Sequence, residues 1–302
     1  MKSRTALRLS HGLLLLACSG ALLAPTAARA DWLLDAAAGY TYDDNLPNAL
    51  NDSDRKADSA LSASVRAGIS EQLATNTGLT LALLAEQNLY LRYSGLTNFG
   101  AGAQARLRHK FGLGADTPWA ALSAQALHRN YHYDYRDGWQ YDAGLTAGKR
   151  LSERLSVQGS VHYDRYTADR LQPTILPGFP TDAYDVWGWT FGARAAYAIT
   201  ESDLLSAAYA WRNGTVTAIT PRDPEILEYS SALARDPVFG TEPPLVAYRI
   251  AGKTDIVSLA WSHAFSPRIS MTMSYLYRRT VAPEDLGGYY SNVVSIFLGY
   301  SR

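Results

Sequence analysis

Arginine is the residue whose recurrence and setting in this sequence could do chemistry. Arg66, Arg92, Arg106, Arg108, Arg150, Arg194, Arg212 and Arg278 fall in step with small or polar residues, within stretches where every second residue is mostly apolar. Arg129 joins them if its stretch has the phase favoured below, and Asp35, Glu86, Asp142 and Asp164 are the acids that share the setting. A guanidinium is permanently charged, and its planar fork of donors matches the oxygens of carboxylates and phosphates. Gathered around a confined polar space, an excess of such groups concentrates anions and admits them selectively. If each instead meets a carboxylate, the same groups close into internal ion pairs that fill the space. The residues alone leave both readings open.

The elements that must position these side chains are strands. In 184–199 the apolar set Trp187, Trp189, Phe191, Ala193, Ala195, Tyr197 and Ile199 alternates with Gly188, Thr190, Gly192, Arg194, Ala196 and Ala198. A period of two sends the two sets to opposite faces. The stretch is longer than the ~5–6 residues usual in a soluble sheet and covers the ~9–11 needed to cross a bilayer. Elsewhere Leu61, Ala63, Val65, Ala67 and Ile69 oppose Ser62, Ser64, Arg66 and Gly68, while Ile269, Met271, Met273, Tyr275 and Tyr277 oppose Ser270, Thr272, Ser274 and Arg278. The stretch 118–129 is alanine-rich, and its phase is ambiguous.

The compartment follows from the first thirty residues. Lys2, Arg4 and Arg8, an apolar stretch from Leu13 to Leu23, and Ala28-Arg29-Ala30 before Asp31 have the form of a secretory signal peptide, 1–30. Leu16-Ala17-Cys18 offers a competing lipoprotein cleavage site, but Leu16 is bulky for it and the apolar run before Cys18 is short. Cleavage after Ala30 leaves no cysteine, hence no disulfide and no thiol nucleophile. The leader holds four basic and no acidic residues, so 28 basic against 28 acidic becomes 24 against 28, which gives no reason to expect nucleic-acid binding. Beyond the leader no apolar run reaches the ~18 residues of a transmembrane helix. An exported chain that is 47% hydrophobic and rich in tyrosine is expected to form an all-β domain, 31–302.

Strands are predicted over 32–42, 59–72, 78–93, 98–111, 118–129, 139–151, 155–166, 184–199, 204–214, 248–265, 269–279 and 289–301. Twelve is an even number, and the connections alternate between short and long with one short exception at Ser94–Thr97. Short periplasmic turns and long outer loops are the asymmetry of outer-membrane barrels. The prediction is therefore a closed antiparallel twelve-stranded transmembrane β-barrel in the bacterial outer membrane, set among outer-membrane lipids and lipopolysaccharide. Tyr40, Tyr42, Tyr90, Tyr93, Tyr131, Tyr133, Trp139, Tyr163, Tyr209, Trp211 and Tyr277 would form one aromatic girdle, and Trp32, Trp119 and Trp261 the other.

Two segments carry a resemblance. The final stretch Asn292-Val293-Val294-Ser295-Ile296-Phe297-Leu298-Gly299-Tyr300-Ser301-Arg302 resembles the insertion signal of outer-membrane proteins, with Arg302 where an aromatic usually ends the chain and Tyr300 in the same register. The resemblance implies that the barrel-assembly machinery handles the chain during biogenesis. Gly39-Tyr40-Thr41-Tyr42-Asp43-Asp44-Asn45 is similar to the first hairpin of outer-membrane β-barrel porins, including ones linked to polysaccharide export. That superfamily spans channels, enzymes and assembly factors, so the fold does not decide the function.

Other chemistry has fewer candidates. The histidines beyond the leader are His109, His128, His132, His162 and His263. A lipid-modifying barrel needs a serine beside a histidine on the outer wall, whereas adjacent Ser262 and His263 point to opposite faces. His128 could face lipid, with no serine clearly beside it. His132, Asp134 and Asp137, or Asp43, Asp44 and Asn45, offer metal-ligating atoms without the spacing of a dedicated loop. No metal or cofactor is expected. The loop Thr215–Ala247 mixes Pro221, Pro224, Pro237, Pro243 and Pro244 with Ile226, Leu227, Leu233, Val238 and Phe239, and must pack on something, either in the mouth or against a partner. The expected function is a porin-like channel for small or oligomeric anionic solutes such as an acidic sugar. A noncatalytic barrel assisting export or assembly of a surface polymer is the alternative, and an outer-membrane enzyme a distant third.

Overall fold

The computed structural model describes residues 31–302 apart from 284 and 285. The leader assigned to 1–30 lies outside the described residues. Twelve long antiparallel strands form the wall: β1 (Asp31–Asp43), β2 (Asp58–Ala74), β3 (Thr77–Tyr90), β4 (Asn98–Lys110), β5 (Trp119–Tyr131), β6 (Gly138–Arg150), β7 (Leu155–Ala168), β8 (Val186–Ala198), β9 (Asp203–Pro221), β11 (Leu245–Ala264), β12 (Ile269–Val281) and β13 (Gly288–Ser301). A thirteenth, β10 (Ser230–Arg235), lies in the long loop between β9 and β11. The ring closes where β1 pairs with β13, from Asp35 opposite Ser301 to Asp43 opposite Val293. Closure matters because hydrocarbon offers no partner for an exposed strand edge. Among the described residues no helix is long and apolar enough to cross a membrane.

The outer wall carries what water would reject. Leu61, Val65, Leu83, Leu122, Leu145, Leu259, Val294 and Leu298 all lie exposed there, a surface stable only against lipid. Near the lower, short-turn end the exposed apolar side chains are Trp32, Leu73, Phe111, Leu151, Ile199 and Phe265, so the termini and every short turn carry one at the membrane boundary. The upper girdle includes Tyr40, Tyr42, Trp139, Tyr141, Trp187, Trp189 and Tyr209.

Five aromatics depart from the predicted girdles, Tyr133 by turning to the long loop, where its hydroxyl meets the Arg235 carbonyl. Tyr90 and Tyr131 fall in the inward phase of β3 and β5, Tyr93 packs in the cluster above the barrel, and Trp119 turns inward at the lower end of β5 beneath Arg108. The reason at Trp119 is its pairing with Gly148, whose missing side chain leaves room for the indole.

The predicted strands hold along most of the wall, with two larger differences. The β3 strand stops at Tyr90 because the Asp58 carboxylate accepts the backbone N–H groups of Arg92 and Tyr93 (3.0 and 2.8 Å), lifting the chain off the ladder. The β9 and β11 strands run on above the wall, pairing from Gly214 opposite Gly252 up to Pro221 opposite Leu245. Gly188 on β8 also pairs with Gly214, so three glycines lie in one row where wall gives way to this extension.

Candidate functional site

The lumen has two tiers. In the upper tier each arginine meets an acid. Arg129 donates to Glu86 (2.8 Å), Gln140 (2.9 Å) and Asn98 (3.3 Å). Arg212 grips Asp164 with two bonds, Nε to Oδ1 (3.1 Å) and Nη2 to Oδ2 (2.7 Å). Gly188 makes this possible, since a Cβ there would sit 2.5 Å from the Arg212 guanidinium carbon. Arg278 reaches Asp43 at 3.5 Å and Ser291 at 2.9 Å. Pairing through a planar fork fixes these groups and cancels their charge locally.

The lower tier differs. Arg66 is tied to Asp35 through Nε (2.8 Å) and also through Nη2, with Gln104 at 3.5 Å. Arg194 donates to Ser206 (3.1 Å). Arg106 and Arg108 sit two residues apart on the inward face of β4, and among the described residues neither has a carboxylate within ion-pairing distance. The Arg108 guanidinium lies 4.6 Å above the Trp119 ring, and its buried Nε has no hydrogen-bond partner. Cation–π contact stabilises such a charge without neutralising it.

Two predicted lumen arginines lie elsewhere. Arg92 is exposed in the β3–β4 connection, above the ladder that Asp58 interrupts. Arg150 ends β6 at the lower rim, where its guanidinium donates to the Ser152 (3.1 Å) and Glu153 carbonyls of the turn. Asp142, expected to answer an arginine, lies 3.5 Å from His162 instead. Ser262 does face inward, bonded to Thr272 (2.9 Å), while His263 faces outward against Asp203 (2.9 Å). His128 is outward too, held by Asp169 at 2.8 Å. In the loops, Asp137 accepts the Tyr131 N–H, Asp134 pairs with Arg170, and Asp44 accepts from Asn292 and pairs with Arg55. Those carboxylates hold loop geometry together.

Above the upper tier a folded lid closes the mouth. The extended β9–β11 pair forms its base, and β10 adds a third strand along β11, taking the side that β12 occupies lower down. A one-turn helix, α1 (Pro224–Glu228), turns the chain between β9 and β10. Pro224 suits its first turn, and the Asp223 carboxylate caps the Glu225 and Ile226 N–H groups. Ala218, Ile226, Leu233, Val246, Tyr248 and Ile250 form one apolar core of the lid, and Tyr93, Leu96, Ile219, Phe239 and Ala247 belong to another.

The second core crosses the mouth. Strands β3 and β9 are six places apart in a ring of twelve, hence opposite, yet Phe239 meets Tyr93 with ring centroids 4.9 Å apart. At its centre the carboxylate of fully buried Asp236 accepts from Arg136, on the β5–β6 connection, and from the Tyr184 hydroxyl (2.8 Å). The Tyr133 hydroxyl donates to the Arg235 carbonyl (3.0 Å). Burial alone would lower the Arg136 guanidinium, but adjacent Asp236 holds it above its ordinary range. Burial, then Asp236, push the Tyr133 phenol up to about 12, and the Tyr184 phenol moves the same way. The β1–β2 connection fastens the other flank, where the Pro47 carbonyl accepts from Ile219 N–H and Asp54 from Thr220.

The long loop was expected to pack, and it packs over the mouth. Its latch residues Arg136, Tyr184 and Asp236 were not singled out from the sequence. The alternating Val216-Thr217-Ala218-Ile219-Thr220 could have revealed that β9 continues.

No family model matches the chain, and no curated protein matches it. Among solved structures, an outer-membrane channel from Pseudomonas putida F1 is similar with a TM-score of 0.59 at 12% identity, covering 93% of this chain and 97% of that one. The NanC porin (0.43; 10% identity; 88% and 98% covered) and the channel DcaP of Acinetobacter baumannii (0.43; 9%; 90% and 97%) are also found. At such identity likeness speaks of fold alone, and together with the closed twelve-stranded wall it gives this chain the fold of an outer-membrane β-barrel.

Proposed function

We propose that the protein is a porin-like channel of the outer membrane for small or oligomeric anionic solutes, with its outer mouth lidded in the conformation described. The observation that carries this reading is the uncompensated pair Arg106 and Arg108 beside Arg66, on the lower side of a lumen whose upper arginines are all paired. Fixed positive charge at a narrow, partly desolvated place raises the local anion concentration. Side chains with spare donors and no competing carboxylate can trade partners with a passing carboxylate or phosphate. An acidic sugar fits that chemistry, with Trp119 and Gln104 lining its path.

The test is bilayer recording of the refolded protein under a salt gradient. Wild type should show anion preference that weakens as salt rises through screening. The double variant Arg106→Glu and Arg108→Glu should move the reversal potential toward cations while the folded barrel still migrates faster on a gel before boiling than after. An unchanged reversal potential in a conducting, folded double variant would sink the anionic reading. A second reading, a noncatalytic barrel assisting export or assembly of a surface polymer, draws support from the packed lid. Silence of wild type and of lid-opened variants alike would favour it.

A further inference from the structure

A recess of about 420 Å³ sits at the upper rim, where the β7–β8 ladder ends at Tyr166 opposite Val186. It belongs to neither tier of the lumen. Tyr163 and Trp187 give it aromatic walls, and Asp182, Asp185, Arg165 and Arg249 give it polar ones. The polar groups largely hold one another. Arg249, on the lid part of β11, donates to the Asp182 carboxylate (2.7 Å) and to the Asp185 carbonyl (3.2 Å), and Ala168 N–H donates to Asp185 (2.8 Å). One Asp182 oxygen, Oδ1, is buried and has no hydrogen-bond partner. That oxygen is sealed behind the recess surface, so Asp182 meets a guest through its other, partly exposed oxygen, beside the Asp185 carboxylate.

The donor set defines the ligand. An apolar guest would cover the Asp182 and Asp185 carboxylates without offering them a donor. An anion would face two carboxylates, while Arg249 is already committed to one of them. A sugar ring satisfies every wall, because its hydroxyls donate to carboxylates, accept from guanidinium groups, and its C–H face stacks on an aromatic ring. The volume lies within the ~300–1,000 Å³ of small-molecule sites. We propose that this recess binds a neutral or amino-substituted saccharide ring at the outer surface, supplied by a free oligosaccharide or by the headgroup of an outer-leaflet glycolipid.

Calorimetry on the barrel refolded in a detergent lacking a sugar headgroup tests this, with maltotriose and triacetylchitotriose as probes and trigalacturonate as the acidic control. The neutral trisaccharides should bind, and Trp187→Ala and Asp182→Asn should each weaken them at least ten-fold while gel mobility before boiling stays that of the folded barrel. Trigalacturonate should not bind at the recess, so any heat it gives should survive Trp187→Ala. The same titration in nanodiscs with and without lipopolysaccharide separates the sources. Competition by the glycolipid, relieved in Trp187→Ala, assigns the recess to a lipid headgroup, and no competition assigns it to a free saccharide. Trisaccharide affinity equal in wild type and both folded variants overturns the proposal. So does the absence of trisaccharide binding together with equal lipopolysaccharide retention in wild type and Trp187→Ala.

Discussion

The upper and lower halves of the lumen use the same residue for different ends. Around the mouth, Arg129, Arg212 and Arg278 each face a carboxylate, and Arg136 is sealed against Asp236 in the lid. Lower down, Arg106 and Arg108 sit two residues apart on the inward face of β4, with Arg108 over the Trp119 indole. A paired guanidinium with little water around it fastens structure, because breaking the pair strands a charge. An unpaired guanidinium beside a solvated path fastens little and attracts anions. The type of residue therefore says less than the presence of an acid in the neighbouring register.

The largest expected effect breaks the upper half. Asp236→Ala leaves the Arg136 guanidinium buried without its acid, a loss of up to ~3–5 kcal/mol for a desolvated pair. The lid should lose amide-exchange protection over 230–247 and conductance should rise, while the wall keeps its resistance to detergent. Retained protection in this variant would mean that the apolar cores alone hold the lid.

A smaller contrast lies below. Arg66→Gln should destabilise by about 1–2 kcal/mol, reduced from a fully buried pair because its side chain and that of Asp35 keep 22% and 24% exposure and Ser301 still donates to Asp35. Arg106→Gln should be neutral or slightly stabilising and should cut anion preference. Thermal unfolding that ranks the two the other way would undo the distinction between paired and unpaired.

Alkaline pH offers a milder probe of the lid. The Tyr133 phenol titrates ordinarily near 10 and in the folded lid at about 12, so the closed lid binds that proton more tightly. Its contribution is complete below about pH 10 and is lost as pH climbs toward 12, with Tyr184 acting in the same direction. Lid protection should fall across that window, and Tyr133→Phe should flatten the fall. The smallest effect belongs to Arg170→Ala, which removes an ion pair with Asp134 whose side chains are 58% and 39% exposed. Exposed pairs of that kind contribute under ~1 kcal/mol, so melting should barely move.

Period-two alternation made the wall legible, because lipid on one side and a polar lumen on the other impose it on every strand. The inward phase of Arg66, Arg106, Arg108, Arg194, Arg212 and Arg278 followed from the same rule. Partners were less legible. Arg129 reaches Glu86 two strands away, and Arg278 reaches Asp43 across the seam where the ring closes, so pairing depends on barrel register. Arg92 was misplaced because Asp58, on another strand, ends β3 early. The lid escaped because its prolines suggested an irregular loop, whereas Pro221 ends β9 and Pro224 opens a helical turn.

The row formed by Gly188, Gly214 and Gly252 bears on how such a lid could move. None of the three positions has a side chain of its own to interlock across the strands, while the backbone ladder passes through without a break. The base of the lid is thus a crease in a continuous sheet and not a tether. Flexing there would carry β9, β10 and β11 together as one rigid flap, so the force needed to lift it would be set at its fastened edges, where Asp236 meets Arg136 and where the β1–β2 connection holds Ile219 and Thr220, and scarcely at all at the fold line.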